Sequence, residues 1–522
     1  MVKELKPEEL NSETRTLADF LRTQKIRLIL PCGGMGTCGR CAVKIQYLSG
    51  SHVLKTIEVL ACQATTAAML EESPEEAELI RVEIPESLLL HEQNSKKRVS
   101  GSRPFKAAID LGSTTIETAA VGENGEIIGS VRKRNPQISY GADVLSRIKA
   151  ASKSKLAASD MQRLAESTIQ SSILELSARH GLNSRPAETV IAGNTTMEHL
   201  LEGCEVRSLG EAPFDPGDIT LKDISEVFYD DGSQVYLLPG ISAFVGGDIV
   251  SGIYSLDMDL SAEPQMLIDL GTNGEMVLGD RNGFLVTSTA AGPAFEAANI
   301  SCGVPGLPGA IRKVEFRGAK PVITLIPWND DLSHLPPGEK MQAEIKLKSK
   351  RPLGLCGSGL ISAVSGMKKA GIIDDTSTFT NDEWIKCGFP LWQPTVVNRG
   401  EAPITLTQDD IHELLLAKAA VRSGIEVLLR RAGITPARVY LSGGFGSALS
   451  VEDAIAMGLF PEEIKDRMIA SGNTSLCGAI KFLNEDSPDS RKRLSQIRTI
   501  SEEVVLADEP DFEDLYISQI KL

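Results

Sequence analysis

The sequence predicts a multidomain protein of mixed α+β and α/β class, in which a small N-terminal unit precedes a larger duplicated fold. The chain has 522 residues, which is too long for one hydrophobic core and predicts two to four domains. A strand, tight turn, strand pattern around Asp110 recurs 159 residues later around Asp269. A polar stretch without apolar periodicity separates the first unit from this repeat. Two copies of one device at such a spacing indicate duplication.

Composition and charge exclude several classes of function. The net charge is −16, and there is no basic cluster beyond Lys96 to Arg98, so we expect no nucleic acid as a partner. No apolar run approaches the roughly 18–20 residues of a membrane span, and the polar N-terminus carries no secretory signal pattern. Five of the nine cysteines are scattered singly, which is typical of reduced, intracellular cysteine. We therefore expect a cytoplasmic protein without a membrane partner.

The first unit, residues 1–92, contains four cysteines in an asymmetric pattern. Cys32, Cys38 and Cys41 follow C-x5-C-x2-C, and Cys62 comes about twenty residues later. Three thiolates on one loop and one at a distance suit a [2Fe–2S] cluster. A zinc site usually offers two paired hooks, and a disulfide does not suit a cytosolic chain, so these alternatives are less favoured. The loop is rich in glycine, which allows the positive φ angles needed around a cluster: Gly33, Gly34, Gly36 and Gly39.

Helix and strand patterns surround these cysteines. Residues 16–22 have helical apolar spacing behind a capping Thr16, and residues 42–47 and 80–84 alternate like strands. This arrangement resembles a ferredoxin of the β-grasp type, although few residues precede the helix for an opening hairpin. Residues 93–104 are predicted to form a flexible linker with an average span of about 20 Å.

From residue 105 onward, strands alternate with helices. Helices are predicted over residues 142–153, 159–180, 196–202 and 408–432. The last begins with a capping-box pattern at Thr407 and Asp410 and ends at Gly433. Residues 313–352 contain two strand-like runs around a Pro-rich loop, which is typical of an insertion, and the tail from residue 499 is partly strand-like.

The two Asp-Leu-Gly turns carry the second predicted chemistry. Such a turn can embrace phosphate oxygens with its N–H groups and hydroxyls, while the aspartate holds Mg²⁺ through its waters. The corresponding residues are, in the first copy, Asp110, Gly112, Ser113, Thr114 and Thr115, and in the second, Asp269, Gly271, Thr272 and Asn273.

A third glycine turn, Gly443, Gly444 and Gly446, follows a strand and would let a flat base or ribose approach the backbone. One such turn alone is usually just a turn, but the set of three is specific. No Gly-Lys dipeptide of a Walker A motif and no H-E-x-x-H motif occur in the chain.

Residues 105 to about 479 resemble the ATPase superfamily of sugar kinases, heat-shock chaperones and actin. The resemblance implies two ribonuclease-H-like halves, about 105–262 and 263–522, that bind ATP and Mg²⁺. Further stretches are similar to the reductive activators of corrinoid proteins: 135–137, 192–197, 240–248, 291–296, 355–359, 417–420 and 472–479. Those activators also carry an N-terminal [2Fe–2S] ferredoxin domain. Many have another domain between ferredoxin and ATPase, for which the linker here leaves no room.

The family resemblance implies ATP-dependent one-electron reduction of a corrinoid protein from Co(II) to Co(I). It also implies an upstream electron donor and a homodimer. Asp110 and Asp269 would organise Mg²⁺ and water, and Glu275 and Glu296 are candidates for polarising the attacking water. A structural carboxylate is an equal alternative for Glu296. Two other functions stay open: a small-molecule kinase with a redox-sensing ferredoxin domain, and an electron carrier with a non-catalytic actin-like assembly module.

Overall fold

The computed structural model describes residues 1–10, 16–24, 26, 28, 41–85, 103–229, 233–297, 299–327, 351–394, 400–443 and 449–522. This part of the chain divides into two compact units. The first comprises Met1–Asp248 with Ala479–Ser490, and the second comprises Ile249–Gly478 with Arg491–Leu522. The predicted linker residues 93–102 lie outside the described residues, as does the second strand-like run of the predicted insertion.

A four-stranded antiparallel sheet and a short helix form the N-terminal part of the first unit. The sheet has the order β1-β4-β2-β3, with strands β1 Val2–Leu5, β2 Ala42–Ser49, β3 His52–Leu60 and β4 Leu79–Glu83. Helix Leu17–Thr23 begins where the Thr16 hydroxyl accepts from the Asp19 N–H at 3.1 Å. Helix and sheet enclose one small core, so the predicted helix and the strands at 42–47 and 80–84 are confirmed.

A cation–aromatic contact joins this N-terminal part to the next region of the same unit. The guanidinium of Arg22, in the last turn of the Leu17–Thr23 helix, lies 4.5 Å from the centroid of the Tyr140 ring. The Tyr140 hydroxyl donates to Asp160, which fixes the ring from its other end. A cation over an aromatic face is attracted by the ring quadrupole.

A six-stranded sheet follows, with three antiparallel strands and a parallel extension. Its order is β7-β6-β5-β8-β10-β9, with strands β5 Lys106–Leu111, β6 Thr115–Val121, β7 Ile127–Arg134, β8 Glu188–Gly193, β9 Lys222–Asp223 and β10 Gln234–Leu237. Strands β5, β8 and β10 run parallel. The helices of this region are Val144–Lys153, Lys155–His180, Thr195–Glu202, Arg207–Gly210, Ser225–Phe228 and Gly247–Ser255. The predicted helices are therefore confirmed, with starts shifted by one to four residues.

The second unit contains a second six-stranded sheet, of order β19-β18-β11-β12-β13-β20. Its strands, and those of two small hairpins, are β11 Gln265–Leu270, β12 Gly274–Asp280, β13 Gly283–Thr289, β14 Ile311–Arg317, β15 Lys320–Leu325, β16 Phe389–Trp392, β17 Ile404–Leu406, β18 Arg438–Ser442, β19 Met468–Gly472 and β20 Ser501–Glu503. The helices are Gly357–Lys369, Asp382–Cys387, Gln408–Ala432, Val451–Ala456, Thr474–Glu485, Pro488–Thr499 and Phe512–Ser518.

Five strands of each sheet share one topology, in which a three-stranded antiparallel meander is extended by two parallel strands next to its first member. This is the ribonuclease-H-like pattern that the duplicated turns predict. The sixth strands differ: β9 pairs antiparallel with β10 in the first sheet, and β20 pairs parallel with β13 at the other edge of the second. In each sheet, the central strand ends in an Asp-Leu-Gly turn, and the neighbouring parallel strands end at the same edge. Loops with functional residues concentrate at such edges.

The Gln408–Ala432 helix has the bounds that its sequence predicts. Thr407 accepts from the Asp410 N–H at 3.2 Å, the Asp410 side chain accepts from the Thr407 N–H at 2.9 Å, and Gly433 ends the helix at φ +63°. Within the described ranges, no helix combines the length and apolar character needed to cross a bilayer.

Candidate cluster and nucleotide sites

Two of the four predicted cluster ligands meet at the end of the β2–β3 hairpin. Ala42 pairs with Leu60, so Cys41, just before β2, and Cys62, just after β3, lie at the same end of the hairpin. The Ala61 N–H donates to the Cys41 carbonyl at 2.9 Å. The two Sγ atoms lie 3.2 Å apart in a buried position. A disulfide has an S–S length of about 2.05 Å, so Cys41 and Cys62 converge on one point without a disulfide bond between them.

Such a convergence fits a metal cluster shared by cysteines that are distant in sequence. Cys32, Cys38 and the loop glycines lie outside the described residues, so their part in the cluster site stays a prediction. In the described part of the chain, no group of three or more metal-binding side chains lies together.

The Cys62 turn is held by the preceding helix. The N–H groups of Leu17 and Ala18 donate to the carbonyls of Ala64 and Ala61 at 2.7 and 2.8 Å. The side-chain amide of Gln63 lies 3.6 Å from Cys62 Sγ and donates to it. Helix Leu17–Thr23 is therefore part of the framework that positions this thiol.

The first Asp-Leu-Gly turn joins β5 to β6 at the edge of the first sheet. A Cβ at Gly112 would lie 2.6 Å from the Thr115 carbonyl oxygen, so the tight turn requires glycine here. Asn135 contacts the turn twice, through its side-chain amide to the Gly112 carbonyl at 2.9 Å and through its N–H to the Thr114 carbonyl at 2.7 Å. The sequence analysis noted Asn135 only as part of a family stretch.

Two further family stretches lie at the same edge, after β8 and β10. A Cβ at Gly246 would lie 2.4 Å from the Gly193 carbonyl oxygen, and one at Gly247 would lie 2.5 Å from Glu198 Oε1. The Glu198 carboxyl accepts from the Gly193 N–H at 3.0 Å. Burial, and then the charge of Asp248, raise its pKa well above the ordinary value. These two loops are therefore packed so closely that only glycine fits between them.

The second turn is built around the carboxylate of Asp269. Asp269 on β11 pairs with Ser442 on β18, and Asp269 Oδ2 accepts from Ser442 Oγ at 2.8 Å. Ser442 Oγ lies 2.6 Å from Thr474 Oγ1, so the carboxylate and the two hydroxyls form a continuous series of hydrogen bonds. Burial raises the pKa of Asp269, and the Ser442 hydrogen bond opposes that rise. A carboxylate with hydroxyls beside it is a donor set suited to Mg²⁺ and phosphate.

The third predicted turn meets the second through Gly443. Its φ is +93°, and a Cβ there would lie 2.8 Å from Asp269 Oδ1 and 2.7 Å from the Leu270 carbonyl oxygen. Glycine is therefore required both by conformation and by space. Gly444 and Gly446 lie outside the described residues. At Gly271, by contrast, the nearest contact of an added Cβ is the Asn273 carbonyl oxygen at 3.7 Å, an ordinary contact.

The structure brings both candidate glutamates to the second turn. Glu275 on β12 is directly opposite Asp269, so the two side chains share one face of the sheet. Glu296, in the short helix Pro293–Glu296, accepts from the Thr272 hydroxyl at 3.0 Å. That contact agrees with a positioning role for Glu296 as well as with a role toward water. Ser442 and Thr474 complete this set. Thr474 lies in the family stretch 472–479, and Ser442 directly precedes the third glycine turn, but the sequence gave no signal for the hydrogen bonds between their hydroxyls.

Three family models match the chain. The model described as a 2Fe-2S iron-sulfur cluster binding domain matches residues 3–67, the model described as the RACo middle region matches residues 105–261, and the model described as the C-terminal domain of RACo, the ASKHA domain, matches residues 263–522. The family's middle region is thus represented by the stretch that the sequence analysis assigned to the first ribonuclease-H-like half.

Three known proteins show the same relationship. The corrinoid activation enzyme RamQ of Eubacterium limosum is 27% identical over 436 residues, which cover 79% of this chain and 69% of that protein. A reductase of the Co(II) methylated amine-specific corrinoid protein from Methanosarcina barkeri is 27% identical over 361 residues, which cover 65% of this chain and 63% of that protein, less than two thirds of its length. The solved structure of a reductive activator for a corrinoid, iron-sulfur protein superposes with a TM-score of 0.69 and 26% identity, covering 97% of this chain and 95% of that one.

Proposed function

The chain belongs to the RACo family, and on that premise we propose that it is an ATP-dependent reductive activator of a corrinoid protein. It would return inactive Co(II) to Co(I) by delivering one electron. The observation that carries this proposal is the presence in one chain of converging buried thiols, Cys41 and Cys62, and of the Asp269–Ser442–Thr474 arrangement. The thiols would hold the group that transfers the electron, and the Asp269 arrangement would bind Mg²⁺ and the nucleotide.

The cysteines define the redox half of the proposed reaction. Cys32, Cys38, Cys41 and Cys62 would hold a [2Fe–2S] cluster, which when bound supplies one-electron chemistry near about −400 mV. The redox change would balance, because an upstream donor would lose one electron and Co(II) of the partner would gain one, with the four cysteines holding the group between them. The buried hairpin end excludes water from Cys41 and Cys62, and the Gln63 amide donates to the Cys62 sulfur.

The nucleotide half supplies the driving force. Moving one electron uphill by about 100–200 mV costs roughly 2–5 kcal/mol, which is within the reach of conformational work driven by ATP. Asp110 and Asp269 would organise Mg²⁺ and its waters, the two turns would hold the phosphates, and Glu275 would polarise the attacking water with Glu296. Positioning and charge neutralisation carry most of such a reaction. We further propose a homodimer and a cytoplasmic location.

The test is an anaerobic reduction assay. Reduced protein is mixed with the Co(II) form of a corrinoid protein, with and without ATP, and the absorbance of Co(I) is followed. We expect ATP-dependent Co(I) formation by the wild-type chain and its loss in Asp269→Asn. The exposed Asp466→Asn serves as a matched control that keeps full activity. Co(I) formation that is independent of ATP, or unaffected by Asp269→Asn, contradicts the proposal and favours the simple electron carrier.

Two further measurements separate the alternatives. Cys62→Ser should abolish partner reduction and leave nucleotide affinity intact, because the hairpin end and the second turn lie in different compact units. Transfer of the γ-phosphate to a small metabolite, without Co(I) formation, would identify the chain as a kinase with a redox-sensing domain instead.

A further inference from the structure

The first Asp-Leu-Gly turn is held from one side by donors to its carbonyl groups. Asn135 donates to the carbonyls of Gly112 and Thr114, at 2.9 and 2.7 Å. The carbonyl between them, that of Ser113, accepts from Nη2 of Arg147 at 2.6 Å. Three successive carbonyl groups of the turn are thus directed toward the segment that runs from Asn135 to Arg147.

The direction of these carbonyl groups also determines the direction of the N–H groups in the turn. In a planar trans peptide, the C=O of one residue and the N–H of the next point in opposite directions. Because the carbonyls of Gly112 and Ser113 point toward Asn135 and Arg147, the N–H groups of Ser113 and Thr114 point away from them. Successive N–H groups directed to one side form an anion-binding concavity.

Arg147 is itself fixed and buried. It lies on the Val144–Lys153 helix with a relative exposure of 0%. Its Nε donates to the Gly141 carbonyl at 3.0 Å, and its Nη1 lies 3.3 Å from Gln137 Oε1 and 3.0 Å from Met197 Sδ. The guanidinium stays protonated at any working pH, so it places a positive charge directly behind the turn.

We propose that Arg147 is a positioning residue for the nucleotide phosphates. It holds the Ser113 carbonyl, so that the following N–H faces the phosphate side. The inference rests on the proposed function in one respect, because it takes the first turn to be a phosphate site. Lysine cannot replace arginine fully at this position, since a single ammonium cannot span the Gly141, Gln137 and Ser113 acceptors with a planar fork.

The test compares Arg147→Met and Arg147→Lys with the wild-type full chain. The dissociation constants of ADP, of the ATP analogue ADPNP and of phosphate-free adenosine are measured by calorimetry. We expect Arg147→Met to weaken ADPNP and ADP roughly 10- to 100-fold, as for the loss of one charged hydrogen bond, and Arg147→Lys to weaken them several-fold. Adenosine affinity should stay within twofold in both variants. Arg163→Met, which removes an exposed arginine of the next helix, should leave all three constants unchanged.

A purely structural role for Arg147 predicts a different pattern. In that case the variants would unfold at lower temperature, but the folded protein would bind ADPNP with wild-type affinity, or would lose adenosine and ADPNP equally. Either result overturns the proposal. If Arg147→Met does not fold, Arg147→Lys decides alone, and an unchanged ADPNP affinity in that variant overturns the proposal.

Failure of this inference can be told apart from failure of the proposed function. If the wild-type chain binds ADPNP but forms no Co(I) with a corrinoid partner, the function is wrong and the role of Arg147 can still be read from the binding constants. If Co(I) forms and Arg147→Met binds ADPNP normally, the function stands and the role assigned to Arg147 is wrong.

Discussion

Each half of the duplicated fold places an Asp-Leu-Gly turn at the corresponding edge of its own six-stranded sheet. The side chains that hold the two turns differ. In the first half, β5 pairs Asp110 with Ala192, which has no polar side chain, and the turn is held through its carbonyl groups by Asn135 and Arg147. In the second half, β11 pairs Asp269 with Ser442, and the carboxylate itself is held by a hydroxyl.

The comparison teaches that duplication preserved the backbone device and changed its supports. Donors to carbonyl groups fix the direction of peptides, which suits the binding of phosphate oxygens. A hydroxyl on a buried carboxylate fixes the position and the protonation of that carboxylate, which suits a magnesium ion. We therefore expect the loss of Arg147 to affect mainly phosphate affinity and the loss of the Ser442 hydroxyl to affect mainly the ionisation of Asp269.

The largest expected effect comes from filling the space between the second and third turns. In Gly443→Ala, the new Cβ would be pressed against Asp269 Oδ1 at 2.8 Å in a backbone with φ of +93°. We expect ADPNP binding to fall below detection and the free energy of unfolding of this unit to drop by about 2–4 kcal/mol. Both are measured by calorimetry.

Gly433→Ala is the matched control for that variant. Gly433 has φ of +63° but no atom within 4 Å of an added Cβ, so this change should cost only about 1–2 kcal/mol of strain and leave nucleotide binding intact. Equal behaviour of the two variants would mean that crowding at Asp269 is not what makes Gly443 necessary.

A smaller effect follows from removing the hydroxyl that distinguishes the two halves. Ser442→Ala deletes a hydrogen bond that favours the charged form of Asp269, so the pKa of Asp269, already raised by burial, should rise further. A higher pKa means that a higher pH is needed to ionise the carboxylate. The acidic limb of the pH–rate profile for ATP-dependent Co(I) formation should therefore move to higher pH.

Ser442→Thr retains the hydroxyl, so the acidic limb of its pH–rate profile should lie at the same pH as that of the wild type. An acidic limb that does not move in Ser442→Ala would show that ionisation of Asp269 does not limit the reaction, and the proposed division of labour between the halves would fail at this point.

The smallest expected effect is on the free energy of unfolding, and it concerns a buried lysine of the second half. Lys418 on the Gln408–Ala432 helix donates to the carbonyls of Gln519 and Lys521 at 2.7 and 2.6 Å. Burial, with the charge of Arg422 second, lowers its pKa to about 8. In contrast to Arg147, this cation titrates in an accessible range.

The sign of the pH effect follows from proton counting. Between about pH 8 and 10.5, the unfolded chain binds more protons at Lys418 than the folded one, so the free energy of unfolding should rise with pH by up to about 1.4 kcal/mol per unit. Lys418→Met removes this contribution. In denaturant unfolding from pH 7.5 to 9.5, the difference between wild type and variant should grow in favour of the wild type above pH 8. A constant difference would contradict the lowered pKa.

Much of the fold was predictable because its signals are local. The bounds of the Gln408–Ala432 helix follow from a capping box at one end and a glycine at the other. The duplicated turns are recognisable by the repeated tripeptide Asp-Leu-Gly. The supports of those turns were not predictable in the same way. Arg147 reads as an ordinary helical arginine, since its burial is produced by strands and loops that are distant in sequence.

The same limit applies to the second site. Ser442 lies next to Asp269 only because β18 pairs with β11 across 173 residues of chain, and Thr474 joins them after β19. The loop with Cys32 and Cys38 lies outside the described part of the chain. Its role as a cluster loop and the predicted bounds of the domains stay predictions.

The contact between Arg22 and Tyr140 has a consequence for how readily the N-terminal part leaves its neighbour. A cation over an aromatic ring at a partly exposed site is worth about 0.5–1 kcal/mol. That is close to thermal energy and biases an equilibrium only about two- to fivefold. This contact therefore favours the docked arrangement without locking it. Arg22 also forms an ion pair with Asp19 of its own helix, with Nη1 and Oδ1 2.9 Å apart, so a carboxylate on another surface would compete with that ion pair as well as with the Tyr140 ring.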